Sequence, residues 1–252
     1  MKRFALHAIA LAVVAIVIGW HSPSKADEPG AADVQKWVVD RMVAWSKPGA
    51  TLHPPAMESF ADGQARYALI ADAVLTTVAR EKPLFGGSRG RLRTAALLLS
   101  ISMFESSYRK DVDMNLGKEG RGDGGRSWCL MQVQLGAPIY IDATTRKRVQ
   151  LIQVCKDAPL SDVKPGARGT YKKCEFIPPA NSIQSTPSRV VLTKDGYELT
   201  SDQTRGHNGQ DLIADRGLCF TVGLRILRNS FHACSALPML ERLSAYASGN
   251  CT

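Results

Sequence analysis

Residues 94–107 read Thr94-Ala95-Ala96-Leu97-Leu98-Leu99-Ser100-Ile101-Ser102-Met103-Phe104-Glu105-Ser106-Ser107. Pro83, Gly86 and Gly87 break the chain before this stretch, and Ser88 is placed to cap a helix that runs through Ser106. Leu98, Ile101 and Glu105 stand at i, i+3 and i+7, so they share one face, and Leu97 lies two turns before Glu105. Glu105 is thus a carboxylate on the apolar stripe of an apolar helix, near its C-terminal end. Desolvation disfavours the charged form, and the negative helix end pushes the same way. A rise from ~4.3 towards ~6 is about 2.3 kcal/mol and keeps a general acid protonated near neutral pH. The plainer alternative is a helix-end Glu that reaches solvent.

Working outward, Val34, Trp37, Val38, Met42 and Trp45 predict a helix from Asp33 that Lys47-Pro48-Gly49 stops. A second helix is predicted from Met57 to Arg80, with Tyr67, Ile70, Val74 and Val78 on one face. Residues 117–126 hold five glycines, a density that excludes a packed helix or strand. Pro138-Ile139-Tyr140, Arg148 to Val154 and Arg189 to Leu192 read as strands, and helices resume at Asp211–Ser230 and Pro238–Tyr246. The fold class expected is mainly α, an α-rich domain with a small β/loop insert. The organisation is a signal peptide over 1–26, an N-terminal helical segment over 27–87 and the main domain over 88–252, with a basic insert at 137–210.

The chain has 252 residues, 44% hydrophobic and 22% charged, which excludes a disordered tail, a collagen-like repeat and a polytopic membrane protein. Lys2 and Arg3 precede an apolar run from Ala8 to Trp20, and Ser24-Lys25-Ala26 offers small residues for cleavage after Ala26. The other reading of this run is an uncleaved anchor helix, for which it is short. Cleavage removes Lys2, Arg3 and Lys25 and takes the formal charge from +9 to +6. The insert carries 11 basic and 7 acidic residues, +4 of that total. Such a chain is expected in the periplasm or outside the cell, with no stable membrane span after cleavage. Its basic surface then meets an anionic wall polymer rather than nucleic acid. The six cysteines all follow the signal, which predicts three disulfides from fifteen pairings. The preferred set is Cys129–Cys219, Cys155–Cys174 and Cys234–Cys251. No CxxC or HxxxH pair supports zinc, and Asp111-x-Asp113-x-Asn115 opens like a calcium loop but has Leu116 where Gly is needed. No metal and no organic cofactor is expected.

Four segments carry a resemblance. Glu105-Ser106-Ser107-Tyr108, Cys129-Leu130-Met131-Gln132, Phe220-Thr221-Val222-Gly223-Leu224-Arg225-Ile226-Leu227 and Ala245-Tyr246-Ala247-Ser248-Gly249 appear in that order. Together they resemble the motifs of the soluble lytic transglycosylase family of the lysozyme-like superfamily: E-S-x-F/Y, G-L-M-Q, a helix with G-x-x-Y-L, and A-Y-N-A-G. The likeness covers roughly 90–136 and 211–251. Cys129 stands where the family has Gly, Ala247 where it has Asn, and Ser248 where it has Ala.

The resemblance implies a lysozyme-like domain that cleaves the bond between N-acetylmuramic acid and N-acetylglucosamine in peptidoglycan glycan strands, leaving 1,6-anhydro ends. It implies Glu105 as the one catalytic carboxylate, with stabilisation supplied by the substrate's own N-acetyl group. It implies Ser106 and Gln132 as hydrogen-bond partners of the sugar, Met131 as an apolar wall, and Tyr246 as the residue that orients Glu105. Two alternatives stay open: a hydrolytic lysozyme using Asp111, Asp113 or Asp123 as a second carboxylate, and a non-catalytic glycan-binding protein. Docking of a cell-envelope protein partner by the insert is also left open.

Overall fold

The computed structural model describes residues 31–49, 56–116, 126–136, 139–162, 164, 166–185, 188–243, 245–246 and 249–251. The expected signal peptide, most of the glycine-rich stretch, Asp123, Ala247 and Ser248 lie outside the described residues. Among the described residues helix accounts for 46% and strand for 19%, a mixed content in which the helices hold the core. The chain divides into two compact units, residues 1–135 with 188–252, and Gly136–Pro187.

The first unit is built on α1 (Ala31–Ser46), α2 (Phe60–Arg80), α3 (Gly90–Ser106), the single turn α4 (Lys110–Asp113), α5 (Gly209–Ala214) and α6 (Arg216–Ala233). Helix α2 is amphipathic as the spacing predicts: Tyr67, Ile70, Val74 and Val78 are all buried. Ser59 caps it, accepting from the Asp62 amide at 3.1 Å. Helix α3 is buried nearly all round from Thr94 to Ser102, because other helices cover it on several sides. The expected Ser88 cap is not observed. The helix starts at Gly90 after Arg89, with no side-chain cap. A Cβ on Gly90 would lie 2.0 Å from the Phe85 carbonyl oxygen, so only glycine fits this approach.

Asn208 and Asp211 form a reciprocal capping box that starts α5. Asp215 then restarts the chain as α6 by accepting from the Leu218 amide at 3.0 Å. Of the helix expected over 238–246, Met239–Leu243 form a 3₁₀ turn and Ala245 and Tyr246 are α-helical. Two short hairpin systems complete the unit. Strand β1 (Ser127–Trp128) pairs with β2 (Val133–Gln134). Strand β7 (Arg189–Leu192) pairs with both β8 (Tyr197–Thr200) and β9 (His207–Asn208).

The second unit contains β3 (Ile139–Asp142) paired with β6 (Ser182–Ser185), and β4 (Ile152–Pro159) paired with β5 (Thr170–Ile177), all antiparallel. It ends at 187 rather than at the expected 210. Val190 on β7 is fully buried in the helical core, and β9 leads directly into the capped start of α5. The 27–87 segment likewise belongs with the helices that follow it: α1 and α2 both pack on α3.

Three disulfides join Cys129 to Cys219, Cys155 to Cys174 and Cys234 to Cys251, the same three pairs preferred above. Such bonds persist in oxidising compartments. Among the described residues no helix is long and apolar enough to cross a membrane.

Candidate active site

Helix α3 ends in an unusual turn. Ser107 and Tyr108 have φ of 49° and 51°, two successive non-glycine residues in the left-handed region. Several contacts fix them there. The Ser106 hydroxyl donates to the Ser102 carbonyl at 2.5 Å and accepts from the Tyr108 amide at 3.2 Å. The Tyr108 hydroxyl donates back to the Leu99 carbonyl at 2.6 Å, and its ring meets Tyr67 edge-on at 5.4 Å. Burial pushes the Tyr108 phenol well above its ordinary range.

Arg66 holds the Tyr108 carbonyl at 2.8 Å while its other donors grip Glu58 and Asp113. Asp113 in turn accepts two bonds from Arg216, at 2.8 and 2.7 Å. These charges are removed from water as a paired set, which is how buried ions are tolerated. Glu105, half-buried, sits one turn above this lock and continues the face of Leu98 and Ile101, both buried.

The β1–β2 hairpin carries the second segment in its turn. Cys129 and Gln132 have φ of 56° and 47°. The Gln132 backbone amide and its Nε2 both donate to the Cys129 carbonyl at 3.0 Å. Met131 is fully buried, with its sulfur 3.3 Å from the Ser102 hydroxyl of α3. A Cβ on Gly223 of α6 would lie 2.7 Å from Met131 Cε, so the glycine lets that helix close on the methionine. The Cys129–Cys219 disulfide ties the same turn to the same helix.

The last segment closes the group. The Tyr246 hydroxyl donates to the Met131 carbonyl at 2.6 Å. Its amide donates to the Ser230 hydroxyl at 3.0 Å, and that hydroxyl donates to the Arg242 carbonyl at 2.6 Å. Burial first, and the charge of Glu105 second, push the Tyr246 phenol well above its ordinary range. Tyr246 and Glu105 therefore share one electrostatic environment.

The structure thus joins Met131 to Tyr246 through its carbonyl and to α3 through Ser102, puts Tyr246 under the charge of Glu105, and gives two residues different places from those expected. Ser106 is buried, with its hydroxyl engaged on both sides within the helix end, so it shapes the turn after Glu105 rather than meeting a sugar. Met131 is interior, packed between α3 and α6, and is not an exposed wall.

The two candidate second carboxylates among the described residues are also engaged. Asp113 is held by two arginines, and Asp111 is buried and paired with Arg109. Such pairing leaves neither poised as a nucleophile or base, and it also speaks against a calcium loop there. Ser102, Ser230 and Arg66 hold this arrangement without having been foreseen. Arg66 on an amphipathic helix reads as a surface charge, and a serine inside a helix gives no signal of which carbonyl it will meet. A half-buried carboxylate whose charge reaches a desolvated phenol can handle a proton in a partly dry setting. No protein-family model, curated protein or solved structure matches the chain.

Proposed function

We propose that this chain is an exported peptidoglycan lytic transglycosylase with a lysozyme-like domain. The observation that carries the reading is convergence. Of four segments that resemble one family's motifs, three meet at Met131, and the helix that ends in the fourth, at Glu105, touches the Met131 sulfur through Ser102. A second point supports it. The family has Gly where this chain has Cys129, and the backbone at Cys129 is left-handed, the conformation that favours glycine.

In this reading protonated Glu105 gives its proton to the glycosidic oxygen as the bond from the muramic anomeric carbon to that oxygen breaks. The glucosamine unit leaves as an alcohol. Glu105, now a carboxylate, takes the proton of the muramic 6-hydroxyl as that oxygen bonds to the anomeric carbon. The 1,6-anhydro ring forms, Glu105 regains its proton, and no water is consumed. The substrate's N-acetyl group stabilises the developing charge, so a second carboxylate is not required. Gln132 is the side chain assigned to sugar binding, and Tyr246 orients the acid. Three disulfides fit action in the periplasm or outside the cell.

Purified sacculi incubated with the wild type and with Glu105→Gln test this. Release of soluble muropeptides by the wild type alone, with end groups lighter by one water than reducing ends, is the expected result. Reducing ends instead would make it a hydrolase. Equal, non-lytic binding by both forms would make it a glycan-binding module.

A further inference from the structure

The β4–β5 hairpin is stapled rather than buried. Seven of the eight residues of β4 are exposed. A two-stranded ribbon with so little core is marginal in water, and here Cys155 and Cys174, directly opposite in the register, are covalently joined. The register sorts its side chains into two faces. Opposite the disulfide, one face pairs Ile152 with Ile177, Val154 with Glu175, and Lys156 with Lys173. Ile152, Val154 and Ile177 are 51%, 45% and 42% exposed, and the Lys156 and Lys173 side chains 66% and 48%.

Two features of this face are unfavourable to the isolated unit. Like charges directly opposed destabilise a ladder, and the lone Glu175 stands between both lysines at 4.0 and 3.6 Å. Aliphatic side chains beside them remain in water. The unit as a whole carries eight basic and four acidic residues. An occupant that resolves both features must present carboxylates next to small apolar groups.

We propose that this face docks the peptide stems of the wall polymer, whose free carboxylates meet Lys156 and Lys173 and whose alanine methyls cover Ile152, Val154 and Ile177. The inference rests on the proposed reading for the identity of the polymer. It adds a second contact with the substrate, on the peptide rather than on the sugar.

The test uses the full chain carrying Glu105→Gln, so that the polymer survives, in sedimentation with purified sacculi. Its comparison adds Lys156→Glu and Lys173→Glu, at positions exposed enough to keep the fold, which circular dichroism checks. Retention of the parent, roughly tenfold weaker retention of the double variant, and loss of the difference in high salt are expected. Sacculi stripped of stems by an amidase should hold both proteins equally weakly. Equal retention of both proteins on intact sacculi, or undiminished binding to the stripped glycan, would overturn the proposal, as would selective binding of an acidic protein in place of the wall. Release of fragments from stem-free glycan by the Glu105 form reports separately on cleavage. Failure there with stem-dependent retention intact would remove the enzyme reading and leave the docking face.

Discussion

The Tyr246 hydroxyl donates to the carbonyl of Met131 at 2.6 Å, across 115 positions of sequence. This bond joins the end of the chain to the turn that carries Gln132, and it brings the phenol under the influence of Glu105. Tyr246→Phe is expected to cost about 1 kcal/mol of stability, with more if the carbonyl is left dry. Release of muropeptides should fall further than that loss of stability explains, because the turn and the acid lose their common tether. Thermal melting and release rates, measured on the same preparation, check both parts.

Glu105→Gln keeps shape and removes the proton. If Glu105 is the acid and base, muropeptide release should fall about 10²–10⁴-fold. The melting temperature should hold, since the amide keeps the shape of the half-buried side chain. Activity within a few fold of wild type would remove Glu105 from the reaction.

Two phenols give the fold an alkaline limit. Tyr108 and Tyr246 both have raised values in the folded protein. Above the ordinary tyrosine value near 10, the unfolded chain has released these protons and the folded chain still holds them. Stability present below that pH should therefore fall as pH rises, by about 1.4 kcal/mol per pH unit for each tyrosine until its folded value is reached. Denaturant midpoints at successive alkaline pH values should show the slope, and Tyr108→Phe should make it shallower.

Cys129 offers a test of backbone strain apart from the disulfide. Cys219→Ala with Cys129→Ala should lose about 4–5 kcal/mol in the chain-entropy account of a 90-residue loop. Cys219→Ala with Cys129→Gly should lose about 1 kcal/mol less, because glycine adopts φ of 56° without penalty. The same ranking in chemical denaturation confirms it, and the reverse ranking refutes it.

Gly223→Ala places a methyl within 2.7–3.1 Å of three Met131 atoms. The methionine must shift, at about 1–3 kcal/mol. Arg66→Met breaks a buried set of ion pairs and should cost about 3–5 kcal/mol, because Glu58 and Asp113 are left in the interior. Urea unfolding separates the two magnitudes.

Much of the frame was legible from spacing. The apolar period of 67–78 gives the buried face of α2, and the run at 94–102 gives a helix covered on several sides. Strand residues 189–192 stood out before Asp195-Gly196, and β7 occupies them. What spacing does not carry is direction within a turn. Ser106 and Met131 belong to motif segments, but left-handed residues at 107, 108, 129 and 132 turn their side chains inward. The 3₁₀ turn at 239–243 escaped because it is set by a distant partner, the Ser230 hydroxyl on the Arg242 carbonyl. The end of the β insert escaped because it depends on Val190 reaching a core assembled from helices on both sides of it in sequence.

The bond between Cys129 and Cys219 also bears on timing. Before that bond forms, the Gln132 turn keeps its packing against Gly223 but lacks its covalent joint to α6. Oxidation completes the joint. For the proposed wall-cleaving enzyme, the site would in this way be completed in the compartment where it acts.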